Sequence, residues 1–235
     1  LHPGPGFGGS CFPKDLESLL ATSKEYGFSM ETLNAAIKAN KNQKIKIGEK
    51  LEKLISGGKV ADIGCGLGST TILMAETYPN SHIYGYDFHA ESIEEAQKRA
   101  SEKGLTNITF EVRDSKDIPN EGFDLACIFD ALHDMGDPVG VASGIKSILN
   151  DEGKFMLVEP FAEDELKDNL TPASAMMYGF STIVCVPTSR AQEVGLCLGA
   201  QAGPKRLIKV LEDAGFEGVR ISESTTNNLV FEAAK

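Results

Sequence analysis

From Val60 onward, short apolar runs alternate with segments of helical period, and that alternation leaves the chain few folds to choose from. Val60 to Ile63 reads as a buried strand, 69–78 as a helix, His82 to Tyr86 as a second strand ending at Asp87, and 90–103 as a helix. Ile108 to Arg113, Asp124 to Phe129 and Lys154 to Glu159 read as strands three to five, with a helix over 138–149. A helix over 204–214 and strands near 217–222 and 228–234 close the pattern. Strands joined through helices pair in parallel, because a parallel connection needs a crossover of a dozen or more residues. The expectation is an α/β fold with an open, mostly parallel sheet covered on both faces. No helix separates the final two strands, so the last is expected to run antiparallel. Residues 160–203 break the rhythm. This insert, with Met176, Met177, Tyr178 and Phe180, reads either as extra helices on the core or as a cap over a ligand.

The loop after the first strand, Asp62-Ile63-Gly64-Cys65-Gly66-Leu67-Gly68, carries most of the functional signal. Its glycines let the backbone turn tightly and approach a ligand that a Cβ would push away. Asp87 follows 23 residues after Gly64, where a carboxylate can accept hydrogen bonds from two ribose hydroxyls. A dinucleotide fingerprint would need glycine at 69, and the residue there is Ser69.

Gly64-x-Gly66-x-Gly68 preceded by Asp62 instead resembles the cofactor loop of class I S-adenosylmethionine-dependent methyltransferases, and the resemblance extends over 60–235. It implies a Rossmann-like sheet and S-adenosylmethionine as cofactor, with Asp62, Gly64, Gly66, Gly68 and Asp87 binding it. It further implies that Asp114 and Ser115, in Val112-Arg113-Asp114-Ser115, lie at the adenine, and that Asp130 faces the methionine part and the acceptor. Leu132-His133-Asp134-Met135-Gly136-Asp137 resembles the L-H-D-W-x-D stretch of small-molecule O-methyltransferases, with Met for Trp, so His133 is implied as general base. Phe155 to Pro160 looks like the family's fifth strand. The tract from Val158 to Gly195 resembles a bacterial group often fused to an N-terminal winged-helix module.

The front of the chain is different in kind. Residues 1–59 hold nine lysines and six acids, whereas 60–235 hold 14 basic and 28 acidic residues, and the join falls near Gly57-Gly58. The domain division expected is therefore 1–58 and 59–235. After a Pro/Gly loop at 3–9, helical periodicity runs from Lys14 through Leu16, Leu19 and Leu20 to a stop at Tyr26-Gly27. A second helix fits 30–55, with Leu33, Ile37, Asn40, Lys44, Ile47, Leu51 and Leu54 at heptad-like spacing, giving a helical hairpin that can pair two copies. Gly4 to Asp15, with Cys11 inside, looks like the active-site loop of UDP-glucose and GDP-mannose 6-dehydrogenases, and the following helices resemble that family's central segment. The resemblance would give Cys11 a thiohemiacetal role and Asp15 an assisting one. The family's NAD and sugar-nucleotide domains have no counterpart here, so Cys11 is expected to be inert and the chain reads as a fusion.

A net charge of −11 repels phosphate backbones, so nucleic acid is not an expected partner. No apolar run reaches the roughly 18 residues of a membrane span, and no signal-peptide pattern opens the chain. The chain opens on Leu1, so it is expected to begin inside a longer protein or to be processed. Five scattered cysteines without a C-x-x-C pair read as reduced thiols in the cytoplasm, with no metal expected. The reading is methyl transfer to a small-molecule acceptor, at oxygen. Its alternatives are a cofactor-binding regulatory module without turnover and, behind it, an NAD-dependent UDP-sugar dehydrogenase fragment.

Overall fold

The computed structural model describes residues 12–31, 33–35, 37–38 and 57–235. Helix α1 spans Phe12–Glu25 and ends at Gly27, whose φ of 73° suits a residue without a Cβ. The expected second helix over 30–55 lies for the most part outside the described residues.

The alternation from Val60 folds as read. Strand β1 (Lys59–Ile63) leads to α2 (Ser69–Thr77), β2 (His82–Asp87), α3 (Ala90–Glu102), β3 (Ile108–Val112) and β4 (Phe123–Phe129). Helix α4 (Pro138–Ile148) precedes β5 (Leu149–Pro160); α7 (Pro204–Asp213), β6 (Glu217–Ser224) and β7 (Asn228–Ala234) close the chain. The seven strands lie in the order β3-β2-β1-β4-β5-β7-β6. β7 runs antiparallel to both neighbours and slots between β5 and β6, while β1 to β5 pair in parallel.

β5 begins five residues before the expected Lys154. Leu149 pairs with Phe123 and Lys154 with Leu125, so Asn150 to Gly153 bulge out of the ladder. The exposed Asp151 and Glu152 disguise this start in the sequence.

Side-chain alternation sorts the core onto the two faces. On one, Val141, Ile145 and Ile148 of α4 and Leu207, Val210 and Leu211 of α7 cover Phe123, Phe155 and Phe231. On the other, Met74 and Ala75 of α2 cover Ile83 and Leu125, and Ile93, Ala96 and Ala100 of α3 pack on Phe110. Each such large side chain contributes roughly 1.5–3 kcal/mol by leaving water. Helix starts are capped locally: His89 Nδ1 accepts the Ser92 N–H, and Asp137 accepts that of Gly140 at 2.9 Å ahead of Pro138.

The insert is helical. α5 (Pro172–Phe180) passes through a π turn at Ser181–Cys185 into α6 (Val186–Arg190). Pro187 has no N–H to give the preceding turn, which is a physical reason for the wider winding there. None of α5 is buried, and Met176 and Phe180 stand 58% and 51% exposed, so these side chains are not core.

Candidate active site

β1 to β5 all end on one edge of the sheet. The chain leaves β1 toward β2 on one side, while β4 lies on the other, so a crevice opens above the end of β1. Gly64, Gly66 and Gly68 line it with φ of 72°, 52° and 70°, a left-handed run that side chains resist. Gly66 donates its N–H to Asp87 Oδ2 at 2.8 Å, and a Cβ there would meet nothing within 4 Å: the cradle faces open space. Arg99, from α3, braces the loop from outside through Leu67 carbonyl at 2.7 Å and Ser69 Oγ at 3.2 Å.

Asp62 sits beneath the loop, 1% exposed. Its Oδ2 accepts hydroxyl hydrogens from Thr70 and Thr71 at 2.9 and 2.7 Å, whereas Oδ1 is buried without a partner. Burial raises its pKa from 3.8 to about 6, although the two threonine hydrogen bonds oppose the rise. Asp87 is half-buried and also takes the His89 N–H on Oδ1 at 2.9 Å. Beyond β3, the Arg113 N–H donates to the Asp87 carbonyl at 2.9 Å, which sets Asp114 and Ser115 at the neighbouring strand end. Asp114 is exposed and bonds locally, its Oδ1 accepting the Lys116 N–H.

The turn after β4 closes the crevice on its other side. Asp130 has φ 50°, a strained value for a residue with a Cβ, and Asn228 Nδ2 donates to its Oδ1 at 3.0 Å. A Cβ on Gly64 would stand 3.1 Å from Ala131 Cβ, so the two loops touch. Asp62, the glycines, Asp87 and Asp130 are thus brought together, with Asp114 and Ser115 one strand further out.

His133 lies on the short helical turn Leu132–Asp134, 5% exposed. Its Nδ1 pairs with Glu159 Oε2 from β5, and Glu159 Oε1 accepts the Leu132 N–H at 2.9 Å. Nε2 lies 3.3 Å from Asp134 Oδ1, and the Cys185 side chain closes on the ring from the insert. Burial alone would push the imidazole toward neutrality. The Glu159 charge, the Cys185 and Glu159 hydrogen bonds and the Asp134 charge outweigh it, and hold the pKa well above 6.5.

The insert is fastened to this turn. Ser189 Oγ donates to the Met135 carbonyl, Gln192 Nε2 to the Asp134 carbonyl, and the Gly136 N–H to Gln192 Oε1, all at 2.9 Å. The Gly199 N–H reaches the His133 carbonyl at 3.2 Å. A Cβ on Gly136 would fall 2.5 Å from Gln192 Cβ and 2.6 Å from the Glu193 carbonyl, so only glycine fits. Arg99, Thr70, Thr71, Glu159, Cys185, Ser189 and Gln192 have no assigned role in the sequence reading. One signal was available: Glu159 ends the apolar run Phe155 to Val158, and a carboxylate that deep needs a partner.

The chain belongs to the methyltransferase-domain family, whose model matches residues 54–215. Residues 1–42 match the central domain of the UDP-glucose/GDP-mannose dehydrogenase family, so the two signatures adjoin in one chain. Aklanonic acid methyltransferase DauC of Streptomyces sp. strain C5 is 33% identical over 109 residues, 45% of this chain and 50% of that protein. UDP-glucose 6-dehydrogenase of Rhizobium meliloti is 30% identical over 112 residues, 42% of this chain and 25% of that protein. The matches thus span half or less of these relatives. Human N-acetylserotonin methyltransferase, solved in complex with SAM, shares the fold at a TM-score of 0.58 and 18% identity, over 94% of this chain and 66% of that one. Among the described residues, no helix is long and apolar enough to cross a membrane.

Proposed function

We propose that residues 59–235 bind S-adenosylmethionine and transfer its methyl group to a small-molecule acceptor, at oxygen. The observation that carries this reading is the cradle above β1: left-handed glycines, open space over Gly66, and Asp87 beside it. The residues fit the cofactor. Asp87 has lone pairs left for two ribose hydroxyls. The unpartnered Asp62 Oδ1 suits an ammonium, met directly or through water. Asp114 and Ser115 are assigned to the adenine side and Asp130 to the methionine and acceptor side.

When bound, the cofactor supplies a methyl group activated on a sulfonium. The chain's own work is to align the acceptor, exclude water and take a proton from a hydroxyl. His133 is the proton-handling residue in this reading, and because its pKa is held well above 6.5 it acts as base only after Nε2 has given up its proton. Glu159 fixes its Nδ1, which leaves Nε2 as the nitrogen turned toward Asp134 and the insert.

Calorimetry with S-adenosylmethionine tests the reading: saturable one-to-one binding is expected, weakened at least 100-fold by Gly66→Asp. No binding, or normal binding by that variant, refutes it. A second reading, a cofactor-binding module without turnover, draws on the burial of His133 and the carboxylates beside both ring nitrogens. Binding without turnover across an acceptor panel, unchanged by His133→Ala, would establish it.

A further inference from the structure

The acceptor side of the crevice gathers a set of groups that methyl transfer alone does not require. His133, Asp134 and Cys185 each offer one ligand atom, and these atoms lie within 4.8 Å of one another. The Nε2 to Oδ1 separation is 3.3 Å. A tetrahedral ion with arms of roughly 2.0–2.3 Å sets its ligands roughly 3.3–3.8 Å apart, so small rotations close the set.

Two further observations point to a ligand. Asp134 Oδ1 is buried and accepts no hydrogen bond, although Nε2 stands close by. The charged His133 ring is its neighbouring cation, and a metal ion would take the place of the Nε2 proton between the two, releasing that proton on binding. The other face of the imidazole is arranged as metal-bound histidines usually are: Nδ1 is held by a carboxylate, Glu159, itself fixed by the Leu132 N–H. His133 and Cys185 are buried at 5% and 6% exposure, while the Asp134 side chain is 36% exposed and leaves a way in.

We propose that His133 Nε2, the Asp134 carboxylate and Cys185 Sγ bind one divalent transition ion of the zinc type, with a fourth position open. One nitrogen, one thiolate and one carboxylate suit a borderline-soft ion and match the three-ligand pattern of reactive rather than structural sites. Sequence spacing hides the set, because Cys185 comes from the π turn, 52 residues after His133. The proposal rests on the methyltransferase reading and replaces proton transfer to His133, both of whose ring nitrogens are then engaged, by ionisation of the acceptor at the metal. With the ion bound, a hydroxyl acceptor in the open position would ionise more readily, its proton leaving to solvent and its O–H electron pair staying on oxygen.

The test is titration of the chelator-treated, folded protein with Co2+ followed by absorption. One equivalent is expected to give tetrahedral d–d bands and a thiolate charge-transfer band. Cys185→Ser should remove the charge-transfer band, His133→Ala and Asp134→Asn should each weaken binding at least tenfold, and Cys197→Ser should leave both unchanged. Circular dichroism and S-adenosylmethionine calorimetry on each variant report folding and cofactor binding apart from the metal. No stoichiometric cobalt binding, or a charge-transfer band that survives Cys185→Ser or vanishes in Cys197→Ser, overturns the proposal. Loss of cofactor binding in the unmutated, metal-free protein would strike the methyltransferase reading instead.

Discussion

Asp62 lets the energetics of the cradle be measured directly. Its pKa is 3.8 before folding and about 6 after, because burial disfavours the charge. Between those values the folded state holds the extra proton, so this group's contribution to stability falls as pH rises. At 1.36 kcal/mol per pH unit, the full penalty is about 3 kcal/mol above pH 6, and it disappears below about pH 4. Asp62→Asn cannot ionise and keeps an oxygen for Thr70 and Thr71. Its amide nitrogen replaces the unpartnered Oδ1 and costs about 1 kcal/mol if it finds no acceptor. The variant should therefore be about 2 kcal/mol more stable than the parent at pH 7.5 and about 1 kcal/mol less stable at pH 4. Urea unfolding across pH 4–8 reads both numbers. A stability difference that stays flat with pH, within about 0.5 kcal/mol, refutes the argument. The same charge predicts that S-adenosylmethionine affinity of the parent weakens as pH falls below about 6.

Gly136→Ala should cost about 1–3 kcal/mol by overpacking against Gln192, and lower turnover while cofactor affinity stays within twofold, as denaturation and calorimetry would show. Glu159→Gln keeps an acceptor for the Leu132 N–H but strips His133 of its buried counter-charge, so a loss of about 3 kcal/mol is expected in urea; less than 1 kcal/mol would mean the pair is not formed. Arg99→Ala frees the Leu67 carbonyl and should weaken cofactor binding several-fold without unfolding the domain. UDP-glucose with NAD should yield no NADH, and Cys11→Ser should leave cofactor affinity unchanged; NADH formation abolished by that variant would reverse the reading of the front segment.

Local features of the sequence translated well into structure. Strand and helix order followed from periodicity, and the antiparallel β7 followed from the missing crossover. Its place between β5 and β6 did not, because register is decided by long-range pairing rather than by any local residue. The cradle was legible for the same reason: Gly64, Gly66, Gly68 and Asp62 are adjacent in sequence, and Asp87 is tied to them through neighbouring parallel strands. The surroundings of His133 were less so. His133 is visible in its motif, but Glu159, Cys185, Ser189 and Gln192 come from 26 to 59 residues away and meet it only after folding. The cysteines looked scattered in the chain, yet one of them stands beside an imidazole and a carboxylate. The early start of β5 was obscured by a bulge, which follows no propensity rule.

The insert joins two parts with opposite tolerance for change. Its base is bonded to the His133 turn through Ser189, Gln192 and Gly199, so alterations there shift that turn. Its outer helix buries nothing, and exposed positions of that kind usually accept substitution at a cost within about 0.5 kcal/mol. Positions 172–180 can therefore change by single steps, each nearly neutral for folding, while the groups bonded to the His133 turn stay where they are. Such a division makes α5 the natural place to vary the outer surface of the insert without unfolding the domain.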